Sequence, residues 1–117
     1  MDNLSFKEKN ALMNEVENMG NTAHLYYNPS SGLYVAYGIS AFIVSRIVRG
    51  LRPRYGNDLQ MPIVDVNDKQ VGILRQSMQC IMSIENEYLQ FEVDNIYDDQ
   101  DYDEWARHIR SQFIGDK

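Results

Sequence analysis

The pattern of apolar and polar positions predicts helices and strands in the order α, β, β, α, β, α, β, α. The most apolar stretch runs from His24 to Leu51. It contains most of two predicted strands, 22–27 and 33–37, which are rich in aromatic and branched residues and flank the turn sequence Asn28-Pro29-Ser30-Ser31-Gly32. Proline presets φ and glycine accepts positive φ, so these residues predict a β-hairpin.

The register of this hairpin follows from placing Tyr27 opposite Leu33. One face then carries the pairs Leu25 with Val35 and Ala23 with Tyr37, and the other carries Tyr26 with Tyr34 and His24 with Ala36. Both faces are apolar enough that we expect both to be covered.

Two helices are predicted before residue 51. Ser5 and Glu8 match a capping box, and a helix that starts there and ends near Gly20 is expected to bury one side of the chain. That side carries Phe6, Leu12, Met13, Val16 and Met19. The second helix is capped by Ser40 and runs to about Gly50, with most of its length against the sheet.

The second half of the chain predicts a mixed sheet. Residues 52–58 form a loop, 61–66 a strand and 87–93 another strand. Between the strands, a helix capped by Asp68 and continuing to Met82 is favoured over a hairpin, which Gly72 leaves open. A strand, crossover helix and strand predict a parallel unit. The fold class is therefore α/β, with a hairpin, one parallel crossover unit and about four helices in a single domain.

The last helix is predicted to begin with the acidic sequence Asp101-Tyr102-Asp103-Glu104, after an acidic connection over 94–103. Its apolar residues Trp105, Ile109 and Phe113 are expected to dock on the body of the domain.

Composition supports a compact domain, with 44% apolar residues in 117. Cys80 is the one cysteine, and no signal sequence or apolar run of about 18 residues occurs, so we expect a cytoplasmic protein outside the membrane. The net charge of −6 is unlike that of a generic nucleic-acid binder.

The charges are unevenly distributed along the chain. Residues 40–54 contain four arginines and no acid, and residues 84–104 contain nine acids and no base. Either block can be ordinary solvated surface. The arginines are Arg46, Arg49, Arg52 and Arg54, and the acids that we select as candidates are Glu92, Asp94, Asp98, Asp99, Asp101 and Asp103.

The segment 31–41, followed by Ser45, Leu51 and the Met61-Pro62-Ile63 strand, resembles the N-terminal DNA-contacting domain of the mismatch-repair ATPase MutS. The resemblance covers about residues 24–82 and implies a small mixed α/β fold. In that family a Phe-x-Glu pair contacts the mismatched base, whereas Leu33 and Val35 stand at the matching positions here. Mismatch reading is therefore not implied, and no phosphate-binding loop of an ATPase occurs.

No cofactor or metal site is predicted. The alternating acids of 99–103 open like a calcium loop, but Glu104 replaces the turn glycine and Arg110 stands where a bidentate glutamate is needed. Cys80 falls on a predicted core-facing helix, where a thiol is usually inert. An enzyme would need a pocket that gathers His24, Asp65 and Cys80, and no spacing indicates one.

Two functional hypotheses lead, and a small enzyme of unknown class is kept as a third. The first is a non-catalytic interaction module whose acidic segment binds a protein partner or a second copy of the chain. The alternative is nucleic-acid binding through the four arginines, with Tyr26 and Tyr34 as a stacking platform. They differ in whether the arginines lie together on one exposed face or are paired with carboxylates.

Overall fold

A computed structural model describes residues 6–18, 20–56, 59–93 and 98–114. Its helices are α1 (Phe6–Val16), α2 (Gly38–Ile47), α3 (Asp68–Ser77) and α4 (Asp99–Ile114). Its strands are β1 (Thr22–Asn28), β2 (Leu33–Tyr37), β3 (Arg54–Gly56), β4 (Met61–Val66), β5 (Gln79–Ile84) and β6 (Tyr88–Glu92). The α/β class is confirmed. Among the described helices, none has the length and apolar character needed to cross a bilayer.

The strands form one six-stranded sheet in the order β3-β4-β2-β1-β6-β5, and every neighbouring pair is antiparallel. The predicted parallel crossover unit is therefore wrong. The reason is the strand β5, which follows α3 and returns through a tight turn at 85–87, where Asn86 has φ 60°. This return reverses β6, which pairs with β1 instead of β4.

The predicted helix over 68–82 is correct as far as Ser77. Asn67, not Asp68, caps it: the Gln70 amide donates to Asn67 Oδ1 at 2.9 Å, and the Asn67 amide donates to Gln70 Oε1 at 2.8 Å. Met78 then adopts an extended conformation and ends the helix. The apolar residues beyond it fit a helical period and also a strand, so their spacing could not decide between the two.

The hairpin forms, but its register is one residue away from the prediction. Asn28 pairs with Leu33 and Tyr27 with Tyr34. The turn is shorter than expected because the Asn28 carbonyl accepts from the amides of Ser31 (3.2 Å) and Gly32 (2.8 Å), and Gly32 takes φ +72°. Because side chains alternate between the two faces of a strand, this one-residue shift places Tyr34 on the same face as Tyr27 instead of the same face as Tyr26.

One sheet face holds the main core. Helices α2 and α3 cover it, burying apolar side chains between the helices and the central strands. The sheet residues that are fully or almost fully buried there are Ala23, Leu25, Ala36, Val64, Val66, Leu89 and Phe91.

Helix α1 packs on the other face, against β1, β2 and the start of α2. The predicted apolar side of this helix faces the sheet only in part: Leu12 packs against the apolar cluster there, whereas Met13 and Val16 are 64% and 76% exposed. The side chains of Phe6 and Met19 lie outside the described part of the chain. Ala11 and Glu15 are buried instead, and Asn14 contacts Tyr26. The helix docks through both apolar and polar side chains.

Helix α4 packs against α2, β3 and β4, at the end of the sheet farthest from β5. It begins at Asp99, two residues before the predicted start. Ile109 is buried and Trp105 packs against the core, as predicted, whereas Phe113 is 55% exposed.

Candidate protein-binding groove and charged surfaces

An open groove of about 470 Å³ lies between α2 and α4. Its lining combines aromatic, basic and acidic side chains, namely Phe42, Arg46, Asp101, Glu104, Trp105 and His108. It brings together one of the predicted arginines, Arg46, and one of the predicted acidic residues, Asp101.

Aromatic rings form the apolar part of the groove. Phe42 is almost fully buried, and its ring centroid lies 5.4 Å from that of Trp105 and 6.0 Å from that of Tyr102. Tyr102 and Trp105 are three residues apart on α4, so they project from the same side of that helix. Burial raises the pKa of Tyr102, which keeps its hydroxyl neutral.

The polar part of the groove comes from both helices. Arg46, four residues after Phe42 on α2, holds its guanidinium carbon 5.7 Å from the centroid of the Phe42 ring, within the range of a cation–π contact. Asp101 and Glu104 are exposed on α4. The groove therefore offers the half-buried Trp105 ring, with the buried Phe42 behind it, bordered by the carboxylates of α4 and by the Arg46 guanidinium.

The predicted acidic residues are divided between two places. Asp98, Asp99, Asp101 and Asp103 are exposed around the first turns of α4, where they also complement the helix dipole. Glu92 is exposed on β6 at the opposite end of the sheet, beside a polar pocket of about 270 Å³ that Gln76 to Gln79 also line. Asp94 lies outside the described residues.

The predicted arginines do not form one continuous surface of free cations. Arg54 donates from Nε and Nη2 to the two carboxylate oxygens of Asp65, at 3.2 and 3.1 Å. Arg46 belongs to the groove. Arg49 and Arg52 are exposed beyond it, near and after the end of α2.

The predicted tyrosine platform is buried. Tyr26 is 6% exposed, packs between Tyr37 and Tyr88, and accepts a hydrogen bond from Asn14 Nδ2 at 2.6 Å. Tyr34 is 7% exposed and belongs to the core under α2 and α3. The two rings lie on opposite faces of the sheet, so a strand of bases cannot stack on both.

The three residues that a catalytic pocket would have to gather, His24, Asp65 and Cys80, lie apart from one another in the sheet. Cys80 pairs with Phe91 and shares its face, whereas His24 lies on the face that holds Tyr88. Asp65 is on β4, with β2 between it and β1, and its carboxylate is bound to Arg54. Within the described ranges, no three His, Cys, Asp or Glu side chains are placed to hold a metal ion.

A buried polar cluster under α1 was missed by sequence reasoning. Glu15 is 5% exposed, and its Oε1 accepts from the Ser40 amide at 2.9 Å while its Oε2 accepts from Ser40 Oγ at 2.5 Å. Ser40 Oγ also accepts from the His24 amide at 2.8 Å. The prediction that the Ser40 side chain caps α2 is therefore wrong, since no side chain at the N-cap position of α2 accepts from its amides. The Glu15 carboxylate of α1 accepts from a first-turn amide of α2 instead. No local signal reveals this contact, which spans 25 residues.

Desolvation governs the ionisation of this cluster. Burial raises the pKa of Glu15 to about 7, against the opposing effect of its hydrogen bonds to Ser40 and Asn18. Burial lowers the pKa of His24, whose Nδ1 lies 2.5 Å from the Tyr88 hydroxyl. The Tyr88 hydroxyl donates its proton to Gln90 Oε1 at 2.9 Å, so its oxygen accepts from His24. This arrangement needs a neutral His24 that carries its proton on Nδ1.

Comparison with known proteins gives no relative. The chain matches no protein-family model, no curated protein and no solved structure. The resemblance to the MutS domain therefore stays a prediction.

Proposed function

We propose that this domain is a non-catalytic interaction module that binds a basic segment of a protein partner in the groove between α2 and α4. The observation that carries the proposal is the meeting of Trp105 and Phe42 with the carboxylates of Asp101 and Glu104 in one open groove.

The composition of the groove suits protein binding. Tryptophan and arginine are the residues most enriched among those that dominate binding energy at protein interfaces. An aromatic surface accepts the aliphatic part of a lysine, arginine or leucine side chain, and the neighbouring carboxylates pair with cationic heads.

The wider charge distribution favours a basic partner. Asp98, Asp99 and Asp103 add exposed negative charge around the same end of α4. Such a patch accelerates the encounter with a positively charged surface and disfavours acidic ones.

The single tryptophan makes the proposal directly measurable, because all indole fluorescence comes from Trp105. The probe is a synthetic acetyl-Lys-Arg-Leu-Lys-Arg-amide peptide, titrated into the protein at low and moderate salt. We expect a saturable change in fluorescence that weakens as salt is added. Neutralising the groove by Asp101→Asn with Glu104→Gln should weaken binding by about fivefold or more.

The matched control removes the same charge at the other end of the sheet. Glu87→Gln with Glu92→Gln, both exposed, should change the affinity less than about twofold if the peptide binds in the groove. Equal weakening by both double variants would mean that the peptide responds only to net charge, and the proposal would be rejected.

Direct nucleic-acid binding is the second candidate, favoured by the exposure of Arg49 and Arg52. The two tyrosines proposed as its stacking platform, Tyr26 and Tyr34, are buried. Its test is binding to single- and double-stranded DNA and RNA at two salt concentrations. Salt-sensitive binding that Arg46→Glu with Arg49→Glu abolishes would replace the groove proposal, and no binding at low salt would remove this candidate.

A further inference from the structure

Strand β5 is an edge of the sheet, bonded to β6 on one side only. Its six residues, Gln79–Ile84, carry no charge in a chain that is 24% charged. Ile81, Met82 and Ile84 are between 43% and 48% exposed. An uncharged edge with exposed apolar side chains is a template for pairing with another strand.

The devices that usually protect an edge are mostly lacking here. The strand has no proline and no lysine, and no described strand pairs with it on the side away from β6, although α3 packs on one face of it. The exception is a β-bulge between Cys80 and Met82, which interrupts the ladder at Ile81. The free pairing surface is therefore concentrated on the second half of the strand, residues 82–84.

This half of the strand is complementary to itself. Met82 and Ile84 lie opposite Gln90 and Tyr88, on one face of the sheet, and Ser83 lies opposite Leu89 on the other. In an antiparallel pair with its two-fold axis at Ser83, Met82 of each copy faces Ile84 of the other. Both exposed apolar side chains then gain an apolar partner.

We propose that two copies of the chain pair through β5, antiparallel about a two-fold axis at Ser83, and so join their sheets into one. The pairing uses the opposite end of the sheet from the groove, so either surface can fail its test without affecting the other.

Charge complementarity favours a second copy as the partner. Arg75 of α3 lies along β5, with Nη1 3.7 Å from Cys80 Sγ and Nη2 3.5 Å from Ser83 Oγ. Glu85 directly follows Ile84, so with the axis at Ser83 the Glu85 of one copy lies just beyond Met82 of the other, towards the Cys80 that Arg75 contacts. The two-fold axis places Arg75 of each copy near Glu85 of the other, so the contact occurs twice, once on each side of the axis.

The interface is small, so the association should be weak. Stable interfaces bury about 1,200–2,000 Å² in total, and a short strand pair with its flanking side chains falls at or below this range. We expect a dissociation constant of roughly 10–100 μM.

Sedimentation velocity of the full chain, from about 5 μM to about 1 mM with reductant present, tests the proposal. We expect a concentration-dependent monomer–dimer equilibrium. Ile84→Lys should raise the dissociation constant at least about tenfold, because a charge on the edge opposes pairing. Ile73→Lys on α3, where the isoleucine is similarly exposed at 41%, should leave it unchanged. Circular dichroism of each variant checks that it is folded.

A charge exchange tests the partner and the orientation. Glu85→Arg should weaken the dimer, and adding Arg75→Glu to it should restore most of the loss. A protein that stays monomeric up to the highest concentration contradicts the proposal, as does a dimer that neither Met82→Lys nor Ile84→Lys weakens.

Discussion

The two edges of the sheet, β3 and β5, are built in opposite ways. The edge at β3 is three residues long, carries the ion pair of Arg54 with Asp65, and has α4 packed against it. The edge at β5 is twice as long, uncharged and exposed. Shortness, charge and cover are the usual protections against edge pairing, so the difference indicates that one edge is closed and the other is available.

The largest effect that we predict comes from Glu15. Because this residue lies at neither edge, its ionisation should change the free energy of unfolding and have little effect on the association of two copies. Its pKa is raised from 4.5 to about 7 on folding. Its contribution to the free energy of unfolding is therefore fully present below about pH 4.5 and is lost as pH rises through about 7, by up to about 3 kcal/mol.

His24 acts in the opposite sense, because a lowered pKa gives stability that is present above about pH 6.5 and is lost as pH falls. The Glu15 effect must be isolated with Glu15→Gln, which mimics the protonated carboxyl. Urea unfolding between pH 5 and pH 8 should show the wild type losing more stability than this variant. Identical pH profiles would contradict the assignment, and dimerisation should be much less sensitive to pH than stability.

The second prediction concerns the closed edge. Trp105→Ala should lower the free energy of unfolding by about 2–3 kcal/mol, because the indole packs on Phe42 and the core and holds α4 beside β3. Phe113→Ala on the same helix should cost less than about 0.5 kcal/mol, since its ring is 55% exposed. Thermal unfolding of the two variants measures the contrast, and similar losses would mean that α4 docks differently.

Sequence reasoning succeeded where the signals were local. The β4 strand, the α3 start near residue 68 and the presence of a turn between β1 and β2 follow from residues that interact within a few positions of one another, whereas the exact length of that turn and the hairpin register do not. It failed where distant contacts decide: Glu15 reaches Ser40 from another helix, which turns the polar side of α1 inward and leaves Met13 and Val16 outside. The apolar residues after Met78 have a spacing that fits both a helix and a strand, and the hydrogen bonds to β6 stabilise the strand.

The candidate groove was predicted only in parts. The sequence identified Arg46 and Asp101 as members of separate charge blocks and Trp105 as a docking residue. Their meeting depends on how α4 packs on α2, and charge patterns along the chain hold no information about that packing.

The smallest predicted effect is that of the ion pair at β3. Arg54 and Asp65 are 48% and 33% exposed, so solvent and salt screen their attraction. A double-mutant cycle with Arg54→Ala and Asp65→Ala should give a coupling energy below about 1 kcal/mol, decreasing in high salt. A larger, salt-independent coupling would show that the pair is essential to the closed edge.

Hydrogen exchange of the backbone amides, followed by mass spectrometry at several protein concentrations, tests the contrast between the edges most directly. If β5 pairs between copies, exchange in a peptide that covers 79–84 should slow as concentration rises, while exchange in a peptide that covers 54–56 stays constant. Exchange over 79–84 that is equally fast at about 5 μM and about 1 mM would contradict the account.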